Sequence, residues 1–404
     1  MVFKLLQYKL KRIGIIGGGI LGLSLGYNLV NNKNYSVTVF EKEKHFGSHQ
    51  SGNNSGVLHC GLYYKPGSLK AKLAVNGIRE MIKFCKLNKI NYDQCGKLVV
   101  ATNIKEKKVI ESLANRGKKN GLSGLKFLTK KEQLKREPYV RAIESLLVPE
   151  EGIIDYYGVM DCFSNIILEN NGKIFLNSKV DKILNTKSDK ILVSSNKIEY
   201  EFDLIINCAG LFSDRIYKLA TGNKRPLRII PFRGEYMSIK KEYHDIVNHL
   251  VYPVPDPKYP FLGVHYTRMI SGGREVGPNA VLAFKREGYK NTDFSIYDLY
   301  DSIFYKGFSN FLIKNFKFAT NEFLTSIMKK SFLKKAKKLI PDIHLNMIEK
   351  GNAGVRAQAM EKNGNLLMDF SIIKENNQIH VLNAPSPGAT SCISISKYII
   401  DNYV

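Results

Sequence analysis

The spacing of apolar positions changes period twice between Lys11 and Glu41. Ile13-Gly14-Ile15-Ile16 is an unbroken apolar run of strand length. Gly17-Gly18-Gly19-Ile20-Leu21-Gly22 opens a longer apolar stretch reaching Val30, and Ser36-Val37-Thr38-Val39-Phe40 alternates before ending on Glu41. The expected elements are a buried strand, a glycine turn leading into a helix, and a second strand. That order is the dinucleotide-binding unit: Gly17 permits the turn, Gly19 lets backbone N–H groups approach a pyrophosphate at the helix N-terminus, and Gly22 lets the helix lie close on the strands. Glu41, 19 residues past Gly22, is placed to accept hydrogen bonds from a ribose. The unit alone leaves NAD and FAD both open.

Farther along, Leu69 to Asn88 carries helical spacing, Lys97 to Thr102 reads as a strand, and Lys105 to Asn120 as a charged helix. Gly152 to Asp155 precedes a helix near Val159 to Glu169, followed by short strands at Lys173–Leu176, Ile191–Val193 and Ile198–Tyr200. Asp203 to Gly210 is a second buried strand ending in Ala209 and Gly210, where another backbone segment can approach the nucleotide; Val180, upstream of it, is also expected at the cofactor. Period-two character with prolines and aromatics in Arg228–Ile239, Val251–Val254 and Phe261–Arg268 suits a mainly antiparallel sheet. Asp293 to Met347 reads as helical. From Lys306 to Lys338 it holds nine lysines against one acid, Glu322, with Phe304, Phe308, Phe311, Phe316, Phe318 and Phe323 in and around the run. Such a pattern is a solvated face over an ordinary core, the favoured reading, or a basic aromatic surface for an anionic membrane. The strand Gln378–Asn383 leads through Gly388, Ala389 and Thr390 into a last helix that returns to the nucleotide domain.

The expected fold is therefore α/β, a Rossmann-like nucleotide-binding domain joined to a second, α+β substrate domain. A chain of 404 residues exceeds the size at which one core stops growing. Residues 1–90, 150–220 and 350–404 are expected to form the first domain, and 91–149 and 221–349 the second. The six cysteines are scattered, without a C-x-x-C pair or metal-ligand spacing, so a reducing compartment and no metal are expected. No stretch approaches a membrane span, and Met1 to Arg12 is too short and too basic for a cleaved secretion signal. The expectation is a cytoplasmic protein, soluble or peripheral on the inner face of the membrane. Lys and Arg outnumber Asp and Glu by 61 to 36, a field that attracts small acids, acidic lipids or nucleic acid. No RNA-binding module is recognisable, so nucleic acid is set aside as a partner.

The loop after Glu41, His45 to Gly67, is rich in Gly, Ser and Asn, which favour turns and offer donors. Placed directly after the second strand, Ser51, Asn54, Ser55 and Gly56 would lie over the cofactor. From Asn54 to Lys70 (NSGVLHCGLYYKPGSLK) the sequence resembles the signature of the FAD-dependent L-2-hydroxyglutarate dehydrogenase/oxidase family, within the D-amino-acid-oxidase-like flavoproteins. The likeness continues through Cys95–Thr102, Pro231–Tyr236, Phe261–Arg268, Gly277–Ala280, Gly354–Gln358 and His380–Thr390, nearly the full length in order. Cys60 and Gly388 stand where the family usually has alanine, and Met368 precedes Asp369 where it tends to have paired aspartates. The resemblance implies FAD as cofactor and oxidation of (S)-2-hydroxyglutarate to 2-oxoglutarate, with oxygen or a membrane quinone taking the electrons onward. The absence of a second glycine fingerprint in mid-chain agrees with electrons entering straight from the organic substrate.

Taking hydride from an alcohol carbon requires a base for the hydroxyl proton, a task that suits histidine. The expected base is His265, with His59 as a hydrogen-bonding residue beside flavin or substrate. A dicarboxylate needs guanidinium anchors, for which Arg233, Arg268 and Arg356 are the candidates, aided by Tyr63, Tyr64 and Tyr236. The alternatives are other enzymes of the same fold, an amino-acid oxidase or a glycerol-3-phosphate dehydrogenase.

Overall fold

A computed structural model describes residues 10–255 and 262–404. Phe261, the first residue of one expected strand, and the side chains of Phe318 and Phe323 lie outside the described set.

The strands Lys11–Ile16 and Tyr35–Phe40 lie side by side and parallel, Ile13 opposite Val37 and Ile15 opposite Val39. Leu204–Asn207 flanks the first strand on its other side, also parallel. With Lys173–Phe175 at one edge and Gln378–Asn383 then Ser371–Glu375 at the other, they make a six-stranded sheet, antiparallel only in its last pair. Both faces are covered, which is why the strands read as continuous apolar runs. Ile13 and Ile15 pack beneath the helices Ile20–Val30, Tyr156–Glu169 and Cys392–Tyr403. Ile16, Phe40 and Ile205 face a small antiparallel sheet of Val180–Asn185, Ile191–Ser195 and Ile198–Phe202. The first of these three strands was not among the expected elements.

A second, nine-stranded sheet runs Val281–Leu282, Arg228–Ile239, Arg274–Gly277, His265–Arg268, Leu250–Pro253, Lys97–Ala101, Glu144–Val148 and Lys126–Phe127. Its pairings are antiparallel except for Leu250–Pro253 against Lys97–Ala101. Ile348–Met360 pairs with Arg228–Ile239 from end to end. That corrects the expected division at residue 350: this strand's hydrogen bonds lie in the second sheet, and the chain re-enters the nucleotide sheet only at Ser371.

The expected helix Leu69–Asn88 is present, capped by the Ser68 hydroxyl. The Asp293–Met347 region is four helices, Ile296–Ile303, Lys306–Lys314, Phe316–Ile327 and Lys329–Ala336. A buried ion cluster anchors the first of them to the nucleotide unit. Arg286, Arg225 and Arg215 converge on Asp214, Asp298 and Asp301, with Asp214 and Arg286 almost wholly buried. Burying such charges is tolerable only because each is paired.

Candidate active site

The glycine turn has the geometry that a bound dinucleotide needs. Gly17 has φ +109°, and a Cβ there would stand 2.5 Å from the Cys208 carbonyl oxygen; at Gly22 a Cβ would stand 1.9 Å from the Gly17 oxygen. The helix that starts at Ile20 carries no acidic side chain in its first turn, so its positive end is left for an anion. Gly19 sits at the N-cap position, and the Ile20 N–H donates to the Ser51 hydroxyl at 2.9 Å. Glu41 accepts from the Gly18 N–H on one oxygen and the Glu43 N–H on the other, both at 2.9 Å. The segment carrying Ala209 and Gly210 closes over this turn, the Cys208 N–H bonding to the Ile16 carbonyl. Val180 opens the small three-stranded sheet, its side chain packed with Ile16 and Phe40.

Other residues expected at the cofactor are occupied in holding the loop. Asn54 donates to the Gln50 and Ser51 carbonyls and accepts from the Gly56 N–H. Ser55 is half-buried beside it. The Thr390 hydroxyl is bonded to Tyr156, the Val57 carbonyl and the His59 N–H, so it clamps the loop rather than pointing at a ligand. Gly388 and Ala389 lie in the turn before the last helix, where the buried Ser391 hydroxyl has no hydrogen-bond partner among the described residues. The glycine cradle and the helix N-terminus without an acidic side chain fit an FAD. Glu43, His49 and Glu287 converge closely enough to hold a cation, but the Lys42 ammonium already sits among them, 2.7 Å from Glu287 and 2.9 Å from His49.

A second constellation lies between the two sheets. Val57–Leu58 pairs antiparallel with Gly152–Ile154, Leu58 opposite Gly152, so His59 and Glu151 come out beside each other. His59 Nδ1 lies 3.5 Å from a Glu151 oxygen, and the Lys97 ammonium 2.7 Å from the same oxygen. The Cys60 N–H and thiol both donate to the other oxygen at 3.3 Å. Glu151 and Lys97 are essentially inaccessible. Burial alone would push the Glu151 carboxyl up, but Lys97 and His59 hold it down at about 2. Burial would lower Lys97, and Glu151 more than reverses that. The rings of Tyr63 and Tyr252 flank the Lys97 ammonium at 4.4 and 5.1 Å.

Tyr252 also stacks on His265, ring centres 4.0 Å apart, and meets His59 edge-on at 6.5 Å. His265 Nδ1 lies 2.9 Å from the Gly263 carbonyl. A carbonyl only accepts, so the neutral ring carries its proton on Nδ1 and leaves Nε2 as an acceptor. Burial pushes the imidazolium form of His265 down to about 3, with His59, Arg356 and Lys97 adding to the effect. Arg356 shares this neighbourhood with the half-buried Tyr236. A Cβ on Gly234 would stand 2.8 Å from the Arg356 guanidinium, so that glycine gives it room.

Two of the expected anchors do not join this group. Arg268 leaves its strand on the Tyr266 side, opposite His265, and pairs with Asp93 at 2.7 Å near the surface. Arg233 is buried and bonded to the Lys290 carbonyl and Glu235. Because Phe232 is the residue opposite Arg356, Arg233 leaves the sheet on the other face. Tyr64 stacks against Lys70 rather than Lys97. Sequence reasoning missed Lys97, Glu151 and Tyr252. The available signal was a lone charge at the head of the apolar run Leu98-Val99-Val100-Ala101, a position that burial renders costly without a partner.

Residues 12–402 match the family described as FAD dependent oxidoreductase. An L-2-hydroxyglutarate dehydrogenase of Indibacter alkaliphilus is 46% identical, the match covering 96% of this chain and 97% of that one. The chain belongs to the L-2-hydroxyglutarate dehydrogenase family of FAD-dependent oxidoreductases. Relatives of the same name are 40% identical in Escherichia coli K12 and, in the human mitochondrial protein, 41%, each match covering 96% of this chain and 91% and 88% of theirs. Among solved structures, the FAD-bound L-α-glycerophosphate oxidase of Mycoplasma pneumoniae superposes with a TM-score of 0.77 at 25% identity, over 96% of this chain and 94% of that one. Glycine oxidase of Geobacillus kaustophilus, at 0.71 and 16% identity, over 97% of this chain and 94% of its own, shares the fold. The nucleotide left open by the glycine turn is therefore FAD.

Proposed function

We propose that the chain oxidises (S)-2-hydroxyglutarate to 2-oxoglutarate. The observation that carries this reading is the gathering of His59 and His265 on either side of Tyr252 with the Arg356 guanidinium near His265, in a chain whose relatives bear that substrate's name. Gly17, Gly19, Gly22, Glu41 and the backbone of Gly388 and Ala389 would hold FAD, which supplies a two-electron acceptor for hydride. Arg356 binds a substrate carboxylate as a planar fork, and its partly buried setting strengthens the pairing. Tyr236 lies near enough to Arg356 to feel its charge. One of the histidines takes the hydroxyl proton as the C2–H bond breaks.

The electrons then pass to an acceptor, oxygen or a membrane quinone. A surface feature favours the quinone. The helix Ile296–Ile303 turns its acids, Asp298 and Asp301, inward to the buried arginines and its apolar side chains outward. Ile296 and Phe304 are 78% and 72% exposed, with Phe294, Tyr297, Tyr300 and Ile303 around them. Lysines follow at 306, 314, 329 and 330, so the surface combines apolar anchors with positive charge and would meet an anionic bilayer.

Purified protein should be yellow and should bleach anaerobically on adding (S)-2-hydroxyglutarate, but not with an amino acid or glycerol 3-phosphate. Arg356→Ala should raise KM at least tenfold, roughly the loss of one charge-assisted pair, while bound FAD is retained. Unchanged kinetics would remove Arg356 from the site.

A further inference from the structure

The two histidines are not equivalent. His265 is closed off by Tyr252, anchored to a backbone carbonyl, and kept neutral by burial even in acid, which makes it a weak proton acceptor. That reverses the expectation that His265 is the base. His59 instead has an ionised carboxylate behind its ring, about one-fifth of its side chain is exposed, and the loop bearing it is fixed by Thr390.

We infer that Glu151 is a positioning residue for this oxidation: its carboxylate takes the His59 Nδ1 proton as a hydrogen-bond partner, so that Nε2 faces the substrate hydroxyl and the imidazolium formed there is stabilised. The inference rests on the hydroxy-acid reading of the pocket. Lys97 has a supporting part. A carboxylate this deeply buried would otherwise take up a proton, and the ammonium 2.7 Å away keeps it ionised while the Cys60 N–H and thiol fix its second oxygen. The charged and titratable groups that face the pair are therefore Lys97, Cys60, Tyr63 and His59, with Tyr252, His265 and Arg356 beyond His59. A 3.5 Å separation is long for a hydrogen bond, as is common before substrate closes a site, and a small ring movement brings it into range.

The chemistry balances. The C2–H bond breaks with its electron pair leaving as hydride to the flavin, the O–H proton moves to His59 Nε2, and the C2=O bond forms. Oxidised substrate, reduced flavin and a protonated His59 beside Glu151 remain, and release of that proton resets the residue.

Two variants separate this role from a structural one. Glu151→Gln removes the carboxylate but strands the Lys97 charge; Glu151→Gln with Lys97→Met removes both charges and keeps the interior neutral. Each is prepared as FAD-loaded protein. In histidine-labelled protein, with His59→Asn to assign the signals, the neutral His59 ring should be the Nδ1–H tautomer in wild type and a mixture of both tautomers in the paired variant. kcat should fall about tenfold or more, part of the 10²–10⁴ that general-base catalysis contributes, with KM little changed. A paired variant with the wild-type tautomer and an unchanged kcat overturns the inference, as does one that retains no FAD. Should (S)-2-hydroxyglutarate fail to bleach the wild-type flavin, the functional reading falls while the tautomer measurement still judges Glu151.

Discussion

His265 ties the pocket to the stability of the whole chain. Its imidazolium form is pushed from 6.5 to about 3 by burial, and that of His380, buried on the Gln378–Asn383 strand of the nucleotide sheet, to about 4. Between pH 6.5 and those values the unfolded chain takes up protons that the native state refuses, so stability falls as pH drops. Glu151, held at about 2, acts in the same direction below about pH 4.5, where its unfolded counterpart is protonated and the native ion pair is not. The thermal midpoint should therefore decline from pH 7 to pH 5, and His265→Gln should flatten the decline; a slope that His265→Gln leaves unchanged would deny His265 this part. At this scale the sequence was only partly legible. His59, His265 and Arg356 stood in recognisable motifs. Arg233 and Arg268 stood in equally good ones and were misread, because a motif does not say on which face of a strand a side chain emerges. Lys97 and Glu151 are far apart in sequence and meet because Lys97 lies opposite Val148, just before the turn that carries Glu151, with the Gly96 N–H bonded to the Glu151 carbonyl; such a pairing leaves no local trace.

Elements were easier to read where one local rule decided them. The glycine turn is such a case: strand, turn and helix each followed from spacing, and the structure adds a steric reason. A methyl group at Gly22 would stand 1.9 Å from the Gly17 oxygen, a backbone atom of the turn itself that cannot give way. Gly22→Ala should yield protein that is colourless or insoluble, whereas Gly67→Ala, whose Cβ meets nothing within 4 Å, should cost only the strain of a positive φ and leave FAD bound. Absorbance near the flavin bands of the two purified variants checks this. The Asp293–Met347 region was legible as helix but not as four helices. Its breaks fall at Phe304–Tyr305, Asn315 and Met328, residues without a strong stop signal, so packing determines them. Phe308 and Phe311 face a core of Ile230, Phe232 and Met360, as a solvated-face reading requires. Ile348–Met360 was assigned to the wrong unit because pairing partners far apart in sequence leave no local trace.

For the whole molecule the question is what an excess of positive charge does. A net charge of +25 spread along the chain is a long-range field, screened within about 8 Å at physiological salt, and by itself it selects no partner. Apolar anchors would convert attraction into docking, and the Ile296–Ile303 helix presents them on one stripe, residues 296, 297, 300, 303 and 304 following helical spacing. No described helix is long and apolar enough to cross a membrane, so contact through this stripe would be with one leaflet only. Sedimentation with vesicles gives the decision. FAD-loaded protein should pellet with vesicles containing phosphatidylglycerol, less so as salt is raised, and not with pure phosphatidylcholine. Ile296→Ser with Phe304→Ser should abolish pelleting while leaving flavin content and bleaching in solution unchanged, since neither residue approaches the pocket. Failure of wild type to pellet, or a concentration-dependent dimer that the same two substitutions dissociate, would assign the stripe to a second copy of the chain and leave oxygen as the better acceptor.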